Sequence, residues 1–228
     1  LGFDAINGEI NRGSLSRLLA QPISRDTVIN GKFLAGLTII ALMVISLGIA
    51  IGGLGLVMIG IPPTLEELLR IMLFFLLTIL YMSLWLAVSQ LFSLFFRQTA
   101  TSALACIALW LFLSVFVGLL AGIISDVIFP ANNSSTVDMV LKNNQLELMI
   151  NRISPTTLYN ESTVTLLNPG VRSLGPITQD QLIGAVAGVL PLSQSLLLIW
   201  PHFVSIIAIN MICFAVSYVY FMKQEVRA

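Results

Sequence analysis

The run IMLFFLLTILYMSLWLAVSQLFSLFF, from Ile71 to Phe96, contains no Asp, Glu, Lys or Arg. An α-helix needs roughly 20 apolar residues to cross about 30 Å of hydrocarbon, and this run is longer. Its opening, Ile71-Met72-Leu73-Phe74-Phe75-Leu76-Leu77, does not alternate apolar with polar residues as the strands of a membrane barrel do. Lipid offers backbone amides no partner, so a crossing segment that is not a barrel strand is helical. Three further stretches are equally free of charge: Phe33 to Ile61, Gln98 to Ser125 and Leu182 to Met222.

The composition agrees with this reading. Of the 228 residues, 57% are hydrophobic and 10% charged, against about 45–50% and 25% in soluble domains. The expected fold is an all-α integral membrane protein, a polytopic bundle of about four transmembrane helices. The lipid bilayer is its first partner. The formal net charge of zero by itself argues nothing about nucleic acid; with so few charged residues there is no basic surface to hold a phosphate backbone, and no nucleic-acid partner is expected. Cys106 and Cys213 both fall in apolar runs and read as packing residues. The start Leu1-Gly2-Phe3-Asp4 has no initiator Met or signal-peptide layout, and reads as the last turn of an earlier apolar helix.

Four regions follow. Residues 1–32 are polar: Leu15, Leu18 and Leu19 give a short helix one apolar stripe, Pro22 ends it, and Ser24 can cap the next helix with Asp26 in its first turn. Residues 33–125 hold three spans, broken at Pro62-Pro63 and at Arg97-Gln98-Thr99. In them Gly48 and Gly52, and again Gly118 and Gly122, stand four apart and offer smooth surfaces for close helix packing. Residues 126–181 form a long external loop, with a candidate amphipathic helix over Val137 to Ile150 and turns at Ser154-Pro155, Asn168-Pro169-Gly170 and Gly175-Pro176. Asn132 and Asn160 lie in N-x-S sequons. Residues 182–228 hold one or two helices; the reading adopted is a short apolar element dipping into the outer face, one kinked span from about Leu192 to Met222, and a basic tail.

Counting Lys and Arg at helix ends orients the chain. The opening segment, the Arg97 hinge and the tail share Arg12, Arg17, Arg25, Lys32, Arg97, Lys223 and Arg227, while Arg70, Lys142, Arg152 and Arg172 fall on the other side. The chain start and the C-terminus are therefore expected in the cytoplasm and the long loop outside.

The sequence carries no persuasive catalytic constellation. His202, the single histidine, has no Cys, Asp or Glu placed near it to complete a site and reads as a hydrogen-bonded structural group. Gly8-Glu9-Ile10-Asn11-Arg12-Gly13-Ser14 lacks the Lys of a phosphate-binding loop. No metal or cofactor is expected on this chain. The polar residues within spans are Ser83, Ser89, Gln90, Asn210 and Ser217, which read as helix–helix hydrogen-bonding groups.

The opening segment carries a resemblance. Glu9, Gly13-Ser14-Leu15, Leu18-Leu19, Pro22-Ile23-Ser24-Arg25 and Gly31-Lys32 are similar to the pattern E-x-x-x-G-[TS]-L-x-x-L-L-x-x-P-[IV]-S-R-x(5)-G-K. That pattern marks ABC-2-type permeases, especially the branch related to the nitrous-oxide-reductase maturation permease. Ser14 stands where the family often has Thr. The resemblance implies a permease subunit of a prokaryotic exporter in the plasma membrane, not an enzyme, with this chain holding the last four of six spans. It implies a second permease subunit, in a homo- or heterodimer, and a separate ABC ATP-binding subunit that binds ATP and Mg. It also implies a cytoplasmic coupling helix over Gly13 to Ala20 that docks on that ATPase. The docking residues would be Arg12, Gly13, Ser14, Leu15, Arg17, Leu18 and Leu19, with Pro22, Ser24 and Arg25 in the following turn. The alternatives are a non-transporting scaffold that binds through its external loop, and an intramembrane enzyme using His202.

Overall fold

A computed structural model of the chain describes residues 2–11, 13, 24–130, 136–170 and 190–223. Among these the regular structure is entirely helical: α1 (Asn7–Asn11), α2 (Arg25–Ile59), α3 (Leu65–Phe95), α4 (Thr99–Leu111), a π-helical turn π1 (Phe112–Phe116), α5 (Val117–Ile128), α6 (Val137–Asn151), α7 (Pro155–Leu167) and α8 (Leu192–Lys223). Four stretches among the described residues are long and apolar enough to cross a membrane: Arg25–Met58, Leu65–Phe95, Thr99–Ile128 and Leu192–Lys223. These are the four expected spans.

Their ends differ from the expected limits for local reasons. The first span starts at Arg25, eight residues before the charge-free run, because Ser24 takes an extended N-cap backbone (φ −70°, ψ 147°). The Ser24 side chain does not make the expected cap bond; its Oγ pairs with Thr27 Oγ1 at 2.7 Å. The span stops where Gly60 turns left-handed (φ 73°) and its N–H reaches Leu56 O at 2.8 Å, a glycine C-cap just ahead of the two prolines. The third span runs on past Asp126 to Ile128, and π1 interrupts it without any Pro or Gly to announce the change. Pro201 lies inside α8 and denies the Leu197 carbonyl its helical donor.

The region read as an external loop holds two helices. Ser154-Pro155 does not merely turn: Ser154 is the N-cap of α7 and Pro155 its first residue, where a missing N–H costs nothing. α6 forms as expected but is not amphipathic in the expected sense. Met139 and Met149 are exposed, and the buried position is polar, Asn143. The Gly175-Pro176 turn, the Asn132 sequon and residues 182–189 of the dipping element lie outside the described residues. Asn160 is exposed on α7.

The chain divides into two compact units. One takes in α1, α2, α3 from Phe75, α4 to Leu109 and α8 from Ser205. Its core gathers Ile6, Val28, Ile29, Leu94 and Phe221. Asn210 donates to Ser83 Oγ and Gln90 to Ile29 O (3.3 Å), so these polar residues do join neighbouring helices. Ser89 and Ser217 instead bond back to carbonyls of their own helices, Leu86 O and Cys213 O. The other unit takes in the first ten residues of α3, the third span from Trp110, α6, α7 and α8 to Val204.

Candidate functional site

Three groups of residues bear on function. The first lies in the unit that contains α1. Ile6 and Asn7 donate their backbone N–H groups to Ser93 Oγ (3.0 and 3.1 Å), which satisfies the open start of α1. The Asn7 and Asn11 side chains donate to Phe96 O and Arg97 O (3.3 and 3.0 Å), just past the end of α3. Lys32 on α2 donates to Ala5 O and forms an ion pair with Glu9 at 2.6 Å. Glu9 and Lys32 are the two ends of the pattern in the opening segment. The chain between them thus leaves and returns at one pinned base, beside the Arg97 hinge.

Of the docking residues named above, three are described. Gly13 has φ +66°, a left-handed conformation that side chains adopt only with strain, which accounts for glycine at that place. Ser24 caps α2 by its backbone, and Arg25 is the first residue of that helix. Arg12, Ser14, Leu15, Arg17, Leu18, Leu19 and Pro22 lie outside the described residues. The four packing glycines behave unequally. A Cβ on Gly48 would fall 2.1 Å from the tip of the Phe75 ring, so this glycine seats an aromatic side chain. Gly118 faces Asn151, whose Oδ1 would lie 3.6 Å from its Cβ, while Gly52 and Gly122 face open space.

The third group was not anticipated. Arg70, 4% exposed, donates from Nη1 to Leu166 O (2.9 Å) and Ser195 Oγ (3.2 Å), and from Nη2 to Leu190 O (2.7 Å) and Glu66 Oε1 (2.9 Å). Glu66 Oε1 also accepts the N–H of Leu192, the first residue of α8 (3.1 Å). One turn of α3 therefore places a cation on a closing carbonyl of α7, Leu166 O, and an anion on the opening amide of α8. Both suit the helix dipoles.

A second knot lies on α7. Glu161 Oε2 accepts from Arg152 Nε at 3.0 Å and from His202 Nε2 at 2.6 Å. This corrects the expectation that no acid stands by His202; Glu161 is 41 residues upstream and reaches it through the fold. Burial pushes the Glu161 carboxyl up, but the His202 hydrogen bond and the Arg152 charge outweigh it and hold the group below its ordinary value. His202 Nδ1 is buried with no partner among the described residues. A carboxylate already shared by two donors, beside a histidine 5% exposed, is built for holding helices together.

Compared with known protein families, the sequence matches the ABC-2 family transporter protein over residues 1–226. The chain belongs to the ABC-2 transporter family. Comparison with curated proteins finds no match. An ABC-2 family chain with four apolar helices of spanning length is a multi-pass membrane protein with a permease role in transport. The pinned opening segment, the seated glycine and the Arg70 and Glu161 knots are thus features of an ABC-2 permease.

Proposed function

We propose that this ABC-2 chain is the membrane-spanning subunit of an exporter driven by a separate ATP-binding subunit, and that residues 13–20 form the element on which that subunit docks. The observation that carries the reading is the Glu9–Lys32 ion pair together with the Asn11 bond to Arg97 O. A force applied to the segment between Glu9 and Lys32 would reach α2, and also the α3–α4 hinge, through one short set of polar contacts. Leu15, Leu18 and Leu19 supply an apolar stripe that a groove on a partner can bury, with Arg12, Arg17 and Arg25 beside it for carboxylates. ATP-driven closure of two such partners would tilt the spans of two permease subunits and open a path outward. In this reading the opening segment, the Arg97 hinge and the C-terminus face the cytoplasm of a prokaryotic cell. The spacing from Glu9 to Lys32 supports the branch related to the nitrous-oxide-reductase maturation permease.

The test is co-purification. Leu15→Asp with Leu18→Asp places two charges on the stripe and should release the co-expressed ATP-binding subunit while the permease still inserts. An ATPase that stays bound and coupled in that variant would remove residues 13–20 from the docking role.

A further inference from the structure

We infer that the groove where the opening segment crosses α2 and α3 binds a phospholipid headgroup. Lys32 takes its phosphate and Gln90 its ammonium, as phosphatidylethanolamine presents them. The groove has a volume of about 220 Å³. Two close approaches form its walls. A Cβ on Gly2 would fall 1.8 Å from Ser89 Oγ, so the opening segment lies directly on α3. A Cβ on Gly36 would fall 2.8 Å from Leu86 Cδ2, so α2 and α3 meet there as well. Ala35 and Ile39, both exposed, border the remaining side. On a membrane span, an exposed side adjoins lipid.

Two groups in the groove have unused bonding capacity. Gln90 is 1% exposed, and its Nε2 donates to Ile29 O at 3.3 Å. Its Oε1 is buried with no partner among the described residues. A buried acceptor left unmade is costly, so a donor is called for beside it. Lys32 Nζ donates to Ala5 O and pairs with Glu9, which uses two of the three donors of an ammonium. The third can serve a second anion. The complementary ligand therefore carries an anion and a hydrogen-bond donor a few bonds apart. A phosphodiester followed by a primary ammonium is such a group. A free phosphate would satisfy Lys32 and leave Gln90 bare. The quaternary ammonium of phosphatidylcholine has no N–H to give.

The position fits a lipid. Gln90 meets Ile29, one turn before the charge-free run that begins at Phe33. Lys32 is the last charge before that run, and Ile39 lies seven residues on, about 10 Å deeper at 1.5 Å per residue. The groove is thus polar where a bilayer is polar and apolar where its chains begin. Its volume is below the roughly 300–1,000 Å³ that enclose a drug-sized ligand, so it takes a headgroup and leaves the acyl chains in the bilayer. The inference rests on the spans and not on the ATP-driven reading.

The experiment purifies the whole permease in detergent with equal phosphatidylethanolamine and phosphatidylcholine, and counts retained lipid by native mass spectrometry. Phosphatidylethanolamine should be retained about tenfold over phosphatidylcholine, the scale of one hydrogen bond to a buried group. Gln90→Met should abolish that preference. Because it also loses the bond to Ile29, Ala35→Phe is the second variant; it adds bulk on the open side, removes neither polar group, and should abolish the preference too. Equal retention of the two lipids by the parent would overturn the inference, by leaving only water at Gln90. A preference that survives both variants would overturn it by placing the lipid elsewhere. Retention of neither lipid would do so by showing the groove covered by protein.

Discussion

Removing Arg70 should cost more stability than removing any other charged side chain described. Its guanidinium serves four acceptors, one each on α3, α7 and α8 and one on Leu190 just before α8, and its side chain is 5% exposed. Arg70→Ala would strip Leu166 O, Leu190 O and Ser195 Oγ of a charged donor. Hydrogen bonds to a charged group contribute about 1.5–3 kcal/mol each, but three bonds to one group do not add. The loss of a partner from a buried charged cluster gives the better scale, about 3–5 kcal/mol. The Glu66 pair adds little to this, because the Glu66 side chain is 52% exposed and an exposed carboxylate contributes about 0–1 kcal/mol. Arg70→Lys keeps the charge but not the fork, and should recover less than half.

The measurement is denaturant unfolding of the purified permease in detergent, with the midpoint compared at unchanged slope. Hydrogen exchange supplies the local signature: faster exchange at the end of α7 and the start of α8, with α1 unchanged. Glu66→Gln should cost at most about 1 kcal/mol. If Arg70→Ala lies within about 1 kcal/mol of the parent, or Glu66→Gln costs as much, the clasp at the head of α3 does not hold these helices.

Three further predictions concern other contacts. Glu161, held below its ordinary pKa, contributes stability that is present above the unfolded value and lost as pH falls through the folded one; acid titration of the unfolding midpoint should show a loss on the acid side of the ordinary glutamate range that Glu161→Gln abolishes. Gly48→Leu should displace the Phe75 ring and cost about 1–3 kcal/mol, whereas Gly52→Leu, with nothing within 4 Å, should be near neutral; equal thermal shifts would mean that Phe75 does not seat there. The Asn210–Ser83 bond within the spans should give a coupling of about 0.6 kcal/mol, and at most about 1.7, in a double-mutant cycle.

The spans were legible because charge in hydrocarbon is costly, and its absence over 26 residues from Ile71 to Phe96 needs no tertiary information. The three distant partners of Arg70 were not legible. They stand 96, 120 and 125 residues away, and two are backbone carbonyls, which every residue carries. Ser154-Pro155 had two meanings, turn and helix start, and local sequence could not choose between them. π1 left no mark at all in the sequence. The pinned opening segment was half legible: the spacing from Glu9 to Lys32 was visible, but not that its two ends meet.

A usable trace of the Glu161 knot was nonetheless present. In a chain with only 10% charged residues, an ion next to apolar neighbours is worth a question about its partner. Arg152 sits between Ile150 and Ile153, and Glu161 follows nine residues later across a Ser-Pro break. Two helical arms joined at such a break bring residues of opposite charge face to face. Had the pair been read that way, His202 would have followed as a ring able to share the same carboxylate from a span. The sparser the charges, the more each one constrains the fold, because fewer partners are available to keep it paired.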